Sequence, residues 1–257
     1  PYRSSTGETI DVGDFDRVLS AAEISANIDG FEKRKKESEA EGMLRGIGLC
    51  YYIESILGDP SEEAKVVFEE DGYVKIFVGT QSNGQGHETV FAQFLSDQTG
   101  IPTEKITVVQ GDSDLIPNGG GTGGSRSVTV QNNATLATIE KVLKSFSQYL
   151  SEKLEVDVEN IEFDDTSFRI NGSNYSPNVL EVAKMACEDQ RLDLLKHSAK
   201  ATLDARSFPN GAHFAEVEID PETGFVQIVR YSVVDDFGNL INPMLAEGQV
   251  HGGVAQG

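Results

Sequence analysis

The sequence predicts an α+β fold of mixed β-sheets packed with helices in two subdomains. Strand-like and helix-like patterns interleave without the strict alternation of a doubly wound sheet. At 257 residues, with 38% hydrophobic and 25% charged residues, the chain is long enough for one large core or two moderate ones. The pattern changes near Val158, which places the expected subdomains at residues 1–156 and 157–257.

After an extended start, Asp14 is placed to cap a helix carrying Phe15, Val18, Leu19 and Ala22, and Asp29 to cap a second from Phe31 to Ala40. The charged run Glu32–Glu41 on that second helix reads as a solvated face, because acids flank its bases. Leu44–Ile56 is strand-like. Ala64–Phe68 and Tyr73–Val78 form a hairpin turned at Asp71-Gly72. A Gly-rich loop, 79–87, leads into a helix from Glu88 to Asp97, which Gly100 and Pro102 stop. Ile106–Val109 is the next strand, and a second Gly-rich loop, 111–127, enters a long helix ending near Leu150. Ile161–Phe163 and Phe168–Ile170 make a small hairpin turned at Asp164-Asp165. Pro177 opens a helix to Glu188. Ala199–Ser207, Ala212–Ile219 and Phe225–Val234 are strands, the last two joined by the turn Pro221-Glu222-Thr223-Gly224. Asn242 and Pro243 are N-cap and N1 of a final helix.

Forty-two acidic against 21 basic residues give a net charge of −21. Such a surface repels a nucleic-acid backbone and an anionic membrane, and an anionic ligand must be held by local donors against the overall field. No run approaches the ~20 apolar residues of a membrane span. Two cysteines, Cys50 and Cys187, cannot hold an iron–sulfur cluster. Both are expected to be buried packing residues in a reducing, cytoplasmic setting. His87, His197, His213 and His251 show no metal-ligand spacing, so no metal ligands are assigned. Hydrogen bonding is expected for each, with His87 alone beside a ligand.

Three segments carry chemistry. In the first, Gly84, Gln85, Gly86 and His87 lie between a strand and a helix. Glycines permit close backbone approach, the helix start offers unpaired N–H groups, and Gln85 has a donor and an acceptor for a neutral heterocycle. A tight turn with polar capping is the alternative. In the second, Thr122, Gly123, Gly124, Ser125, Arg126 and Ser127 combine backbone N–H groups, hydroxyls and one guanidinium into an anion site at a helix start. The Lys-Ser/Thr ending of a nucleotide-hydrolysing loop is missing. A flexible loop, with Arg126 turned to a surface carboxylate, is the other reading. In the third, Asn242 to Gly257, Gly248, Gly252 and Gly253 each weaken a helix by about 1 kcal/mol relative to alanine. The reading is close approach to a ligand through Gln249, or packing against another helix.

In this order, the segments resemble the molybdopterin-binding region of the xanthine dehydrogenase/aldehyde oxidase family, most of all the large subunits of aerobic carbon monoxide dehydrogenase-type enzymes. Gly84-Gln85-Gly86-His87-Glu88-Thr89 matches one cofactor loop and Gly121–Ser127 a second. Asn242-Pro243, Gly248-Gln249 and Gly252–Gly257 match the late Gln-bearing segment. Pro1-Tyr2-Arg3 and Tyr51–Glu54 are similar too, so the likeness spans nearly the whole chain. The resemblance implies a molybdenum cofactor-binding domain-like fold and a molybdopterin cofactor, with the cytosine dinucleotide form among the options. It implies that Gly84, Gln85 and Gly86 contact the cofactor near the metal. Thr122 to Ser127 contact pterin and phosphate, and Gln249 the pyranopterin. It further implies an oxidoreductase that oxidises a small-molecule substrate at molybdenum and passes electrons to iron–sulfur and FAD-binding partners. The family's catalytic Glu follows in a Gly-Glu motif that this chain does not contain; Gly7-Glu8 is misplaced for it, so no catalytic residue is assigned. The chain is therefore expected to be a piece of a longer polypeptide, inactive alone and without retained cofactor. A non-catalytic phosphate- or nucleotide-binding module is the alternative, and a subunit-interface scaffold the third reading.

Overall fold

The computed structural model describes residues 2–10 and 12–257. Two short strands, β1 (Tyr2–Arg3) and β2 (Thr9–Ile10), pair antiparallel and precede α1 (Phe15–Ala26), α2 (Phe31–Ala40) and β3 (Leu44–Ile53). The hairpin β4 (Ser61–Phe68) and β5 (Val74–Val78) follows, then α3 (His87–Thr99), β6 (Ile106–Val109) and the 28-residue α4 (Ser127–Leu154). A small hairpin of β7 (Ile161–Phe163) and β8 (Phe168–Ile170) leads to α5 (Val179–Glu188) and β9 (Lys196–Thr202). A long hairpin of β10 (Asn210–Ile219) and β11 (Val226–Asp236) precedes α6 (Pro243–Gln256). The architecture is the expected α+β mixture of helices with antiparallel and mixed sheets.

The chain divides into two compact units, Pro1–Ile56 with Arg206–Asn239, and Leu57–Ala205 with Leu240–Gly257. The boundary expected at 156/157 falls inside the second unit. Non-local strand pairing is the reason: β10 pairs with β3 in one unit and β9 with β4 in the other, in each case between residues far apart in sequence, such as Ala212 with Tyr51 and Ala64 with Ala199. Local periodicity carries no information about such partners.

In the first unit the sheet order is β11-β10-β3, antiparallel throughout. α1 lays Val18, Ala22 and Ala26, spaced four residues apart, on Ala212 and Phe214, with Ile47, Tyr51 and Val234 at the margin. Asp14 caps α1 as expected, accepting from the Arg17 N–H. Asp29 does not cap α2: it sits in a 3-10 turn that runs into the helix, whose N-cap is Gly30. The charged run on α2 is largely solvated, but Arg34 turns inward. Its guanidinium and that of Arg45 close on the Glu216 carboxylate, which is 1% exposed; the Arg45 contacts are 2.7 and 2.9 Å. Cys50 is exposed on β3 and Cys187 partly exposed, against the expectation of burial. Cys50 faces outward because that side of the sheet carries no helix within its unit.

In the second unit the order is β6-β5-β4-β9, with β5 and β6 parallel and the other pairs antiparallel. β9 starts and ends earlier than the Ala199–Ser207 run predicts, because its register is set by β4. α5 begins one residue beyond Asn178, whose side chain and Glu181 form a reciprocal cap, so Asn178 and not Pro177 defines the start. Val66, Ile76, Phe91, Leu95, Phe146, Leu150 and Phe168 form the centre of one continuous core. The β5–α3–β6 crossover places the first Gly-rich loop at the carboxyl end of a parallel strand pair, where open sheets bind ligands. Among the described residues no helix is long and apolar enough to cross a membrane.

Burial alone raises the Glu216 pKa, but Arg34 and Arg45 outweigh it and hold it below the ordinary 4.5. The ion pairs therefore contribute fully above the unfolded-state value and are lost as pH falls through the lower folded value. Glu216→Ala, which removes the buried carboxylate shared by two partly buried guanidiniums and leaves Arg45 only its Glu218 partner, should cost about 3–5 kcal/mol in urea unfolding at pH 7. The difference from the wild type should shrink below pH 4.5.

Candidate functional site

The two Gly-rich loops lie against each other, backbone to backbone. A Cβ added to Gly79 would stand 2.7 Å from the Gly119 Cα, and one on Gly119 would stand 2.4 Å from the Gly79 carbonyl oxygen. Polar bonds fasten the contact. Thr122 Oγ1 donates to the Gln81 carbonyl (2.6 Å) and accepts from the Gln81 N–H (3.0 Å) and the Ser127 hydroxyl (3.1 Å). The Gly121 N–H reaches the Gly79 carbonyl at 3.3 Å. Gln131, one turn into α4, accepts from the Gly79 N–H (3.0 Å) and donates to the Glu63 carbonyl, tying helix, loop and sheet together.

Beneath the second loop lies a buried ion pair that sequence reasoning missed. Glu62 on β4 accepts from the Gly120 N–H (2.9 Å) and from Arg126 (3.1 Å), and both side chains are 2% exposed. Arg126 also donates to the carbonyls of Asp59 (2.9 Å), Ser61 (2.8 Å) and Gly121 (2.8 Å). Its guanidinium is thus directed inward at protein acceptors, which corrects its reading as a phosphate neutraliser: it fixes the loop from within. Glu62 lies in an ordinary strand pattern, and nothing local marks it as a partner for a residue 64 positions away.

What the loops present outward is mostly uncharged backbone. Gly124 (φ +68°) and Ser125 (φ +59°) are left-handed and Arg126 is right-handed, an order that turns successive N–H groups to one side as a nest. No side chain caps α4 or α3, whereas Asp14, Asn178 and Asn242 cap α1, α5 and α6. The first-turn N–H groups of both loop-fed helices are therefore left for another acceptor. A Cβ on Gly84, Gly121 or Gly123 would meet nothing within 4 Å, so the backbone is open to close approach there.

In the first loop Gln85 is half-buried, and its side-chain amide oxygen Oε1 accepts from the Asn83 N–H. Gln110, just beyond β6, accepts from the Ser82 N–H (2.9 Å) and donates to Glu88, bracing both ends of the loop. His87 is 1% exposed, packs on Phe91 with ring centroids 4.9 Å apart, and has no hydrogen-bond partner at either nitrogen. Burial holds its pKa below the ordinary 6.5, against the opposing pull of Gln110 and Glu88, so the ring is neutral at pH 7. Against the expected hydrogen bonding, neither ring nitrogen of His87 has a partner among the described residues. What it offers a ligand is its main-chain N–H at the start of α3.

The third segment reaches the first loop by its root. Asn242 caps α6 through the Leu245 N–H (3.0 Å) and donates to Gln93 of α3 (3.0 Å), while Gln93 donates to the Ile241 carbonyl (2.8 Å). Leu245 covers Gly86, where an added Cβ would meet its methyl groups at 3.0 Å. Gln249 follows one turn later on the same side of α6 and is exposed. Space stands open at Gly248, Gly252 and Gly253, so no helix packs on them here. Among the described residues no group of three or more His, Cys, Asp or Glu side chains is placed to hold a metal.

Together these features define a class: an α+β unit whose paired glycine loops expose amide, hydroxyl and N–H donors. The donor chemistry and the open glycines fit a molybdopterin. The family model for the molybdopterin cofactor-binding domain matches residues 21–257, and the chain belongs to that family. It is 30% identical to the carbon monoxide dehydrogenase large chain of Afipia carboxidovorans, over all of this chain and 34% of that one. It is equally identical to the 6-hydroxypseudooxynicotine dehydrogenase complex subunit gamma of Paenarthrobacter nicotinovorans, over all of this chain and 32% of the other. Solved structures agree. The Cu,Mo-CO dehydrogenase superposes with a TM-score of 0.88 at 29% identity, over 98% of this chain and 34% of that one. Quinoline 2-oxidoreductase from Pseudomonas putida 86 gives 0.87 at 26%, over all of this chain and 35% of that one. The chain spans about a third of the length of the curated relatives it matches.

The two kinds of glycine predict opposite outcomes. Gly79→Ala forces the loops apart and should cost about 1–3 kcal/mol in denaturant unfolding. Gly123→Ala, which enters open space, should stay within about 0.5 kcal/mol of the wild type.

Proposed function

We propose that this chain is the cofactor-holding part of a molybdenum hydroxylase of the carbon monoxide/aldehyde/xanthine dehydrogenase kind. The observation that carries the reading is the backbone contact of Gly79 with Gly119, which joins the two loops that lead into the uncapped starts of α3 and α4. In this reading Gly123, Gly124, Ser125 and Ser127 turn N–H groups to the phosphate, and Thr122, which accepts from the Ser127 hydroxyl, holds the two loops in register. Gly84, Gln85 and Gly86 pass close to the dithiolene side, His87 contributes its N–H, and Gln249 hydrogen-bonds the pterin from α6. Glu62, Arg126, Gln110 and Gln131 act behind them as positioning residues. A neutral donor set of this kind binds an anion through peptide dipoles. It does so without a mobile cation, which suits a chain of net charge −21.

When bound, the group supplies two-electron redox chemistry at molybdenum. The substrate oxidation, the iron–sulfur and FAD-binding partners, the cytosine dinucleotide form of the cofactor and a cytoplasmic setting belong to the same proposal. Support comes from relatives whose names specify dehydrogenases and hydroxylases, and from the overlap of all three cofactor segments within one unit.

In the polypeptide that carries this chain, Gln85→Ala and Gly123→Ala should each lower molybdenum and pterin content by about tenfold or more without loss of folding. Wild-type content in both variants, measured by metal analysis and pterin fluorescence, would contradict the assignment. The loops would then serve some other anion or packing alone.

A further inference from the structure

The side of the first unit's sheet opposite α1 carries a polar cluster that the cofactor site does not involve. On the three adjacent strands Tyr52, Gly211 and Asp235 stand in one row, Tyr52 of β3 and Asp235 of β11 each directly opposite Gly211 of β10. Gly211 leaves the space in which its neighbours meet: a Cβ there would fall 1.9 Å from Asp235 Oδ1 and 2.7 Å from the Tyr52 ring. Tyr52 donates its hydroxyl proton to Asp235 Oδ1 at 3.0 Å. His213, two residues along β10 on the same side, places Nε2 3.2 Å from that oxygen and Nδ1 3.1 Å from the Tyr231 hydroxyl. In the neutral imidazole tautomer that donates from Nε2 to the carboxylate, the Tyr231 hydroxyl donates to Nδ1.

The same sheet supplies the comparison that makes this cluster informative. Glu216 is buried on the opposite side and is met by two guanidiniums. The Asp235 side chain is also buried, at 8% exposure, yet it has no lysine or arginine partner among the described residues; its contacts are a phenol and an imidazole. Buried carboxylates are normally paired with a cation or a metal. We propose that Tyr52, Asp235 and His213 form a binding site for a ferric ion.

The geometry and the donor chemistry agree. Ligands held about 2.0–2.2 Å from a first-row ion lie roughly 2.9–3.4 Å from one another, and the two separations from Asp235 Oδ1 fall in that interval. A carboxylate, a phenolate and an imidazole are a hard set with two negative charges, matched to a trivalent ion. His213 remains partly exposed, so the other coordination positions open to water. The protons balance. One leaves from the Tyr52 hydroxyl, and the imidazole proton moves from Nε2 to Nδ1. Nδ1 then donates to the Tyr231 oxygen, which turns from donor to acceptor. Tyr231 thereby becomes the outer partner that orients the ligating imidazole.

The test is titration of the chain with ferric nitrilotriacetate at neutral pH. A visible phenolate-to-iron charge-transfer band should grow and saturate at one ion per chain. Tyr52→Phe should abolish it with the circular dichroism unchanged. Tyr231→Phe should keep the band and weaken binding by about tenfold. No visible band in the wild type, or an undiminished band in Tyr52→Phe, would overturn the proposal. In that case Asp235 is balanced by protons on its neighbours and by no metal.

Discussion

Gly79 and Gly119 touch through their main chains because neither has a side chain, and Glu62 occupies the wedge left between them. Nearly everything in the candidate site depends on that contact. β5 delivers Gly79 to the end of the sheet, and the Glu62 carboxylate holds the Gly120 N–H and the Arg126 guanidinium. Thr122 then sits where it can bond both faces of the Gln81 peptide. The contact fixes where the chain enters α4, and with it the direction of that helix's unpaired N–H groups. A buried ion pair adds little net stability by itself, because desolvation offsets attraction. Its value here is geometric: with four hydrogen bonds from one guanidinium, and the Gly120 N–H held by the same carboxylate, the loop has one arrangement.

The electrostatic consequence follows from what that ion pair uses up. Arg126 is the one cation within the second loop, and it is neutralised underneath. The outward surface is left with peptide dipoles, hydroxyls and amides. For a strongly acidic chain this separates two tasks. In the proposed reading, affinity for an anion comes from the uncapped N–H groups of the two loop-fed helices, while loop rigidity comes from a charge pair kept away from solvent. The neutral, closed-in His87 fits the same division, since a protonated imidazole there would add a second charge at the start of α3, where the helix dipole disfavours it.

Much of this was legible in the sequence. The Gly-rich segments before α3 and α4, the Asn242-Pro243 start of α6 and the turn at Asp71-Gly72 are local signals, and local chemistry decided them. The resemblance carried the family and brought the three segments into one site. What local pattern cannot show is pairing at long range. Arg126 reads as a free guanidinium until Glu62 is seen below it, and Cys50 reads as core until one side of its sheet proves bare. The division at 156/157 fails for the same reason, because β10 returns to β3 and β9 to β4. Gln110 and Gln131 were missed because a glutamine beside a strand end or inside a helix has no distinguishing neighbour in sequence. Only the fold reveals that each reaches a loop peptide.

The claim that Glu62 locks the two loops as one body is tested most directly by amide hydrogen exchange in Glu62→Ala. Residues 79–87 and 118–127 should lose protection together, by a comparable factor, while the β4–β5 and β4–β9 ladders keep theirs. Unchanged exchange in both loops, or loss in the second loop alone, would contradict the account.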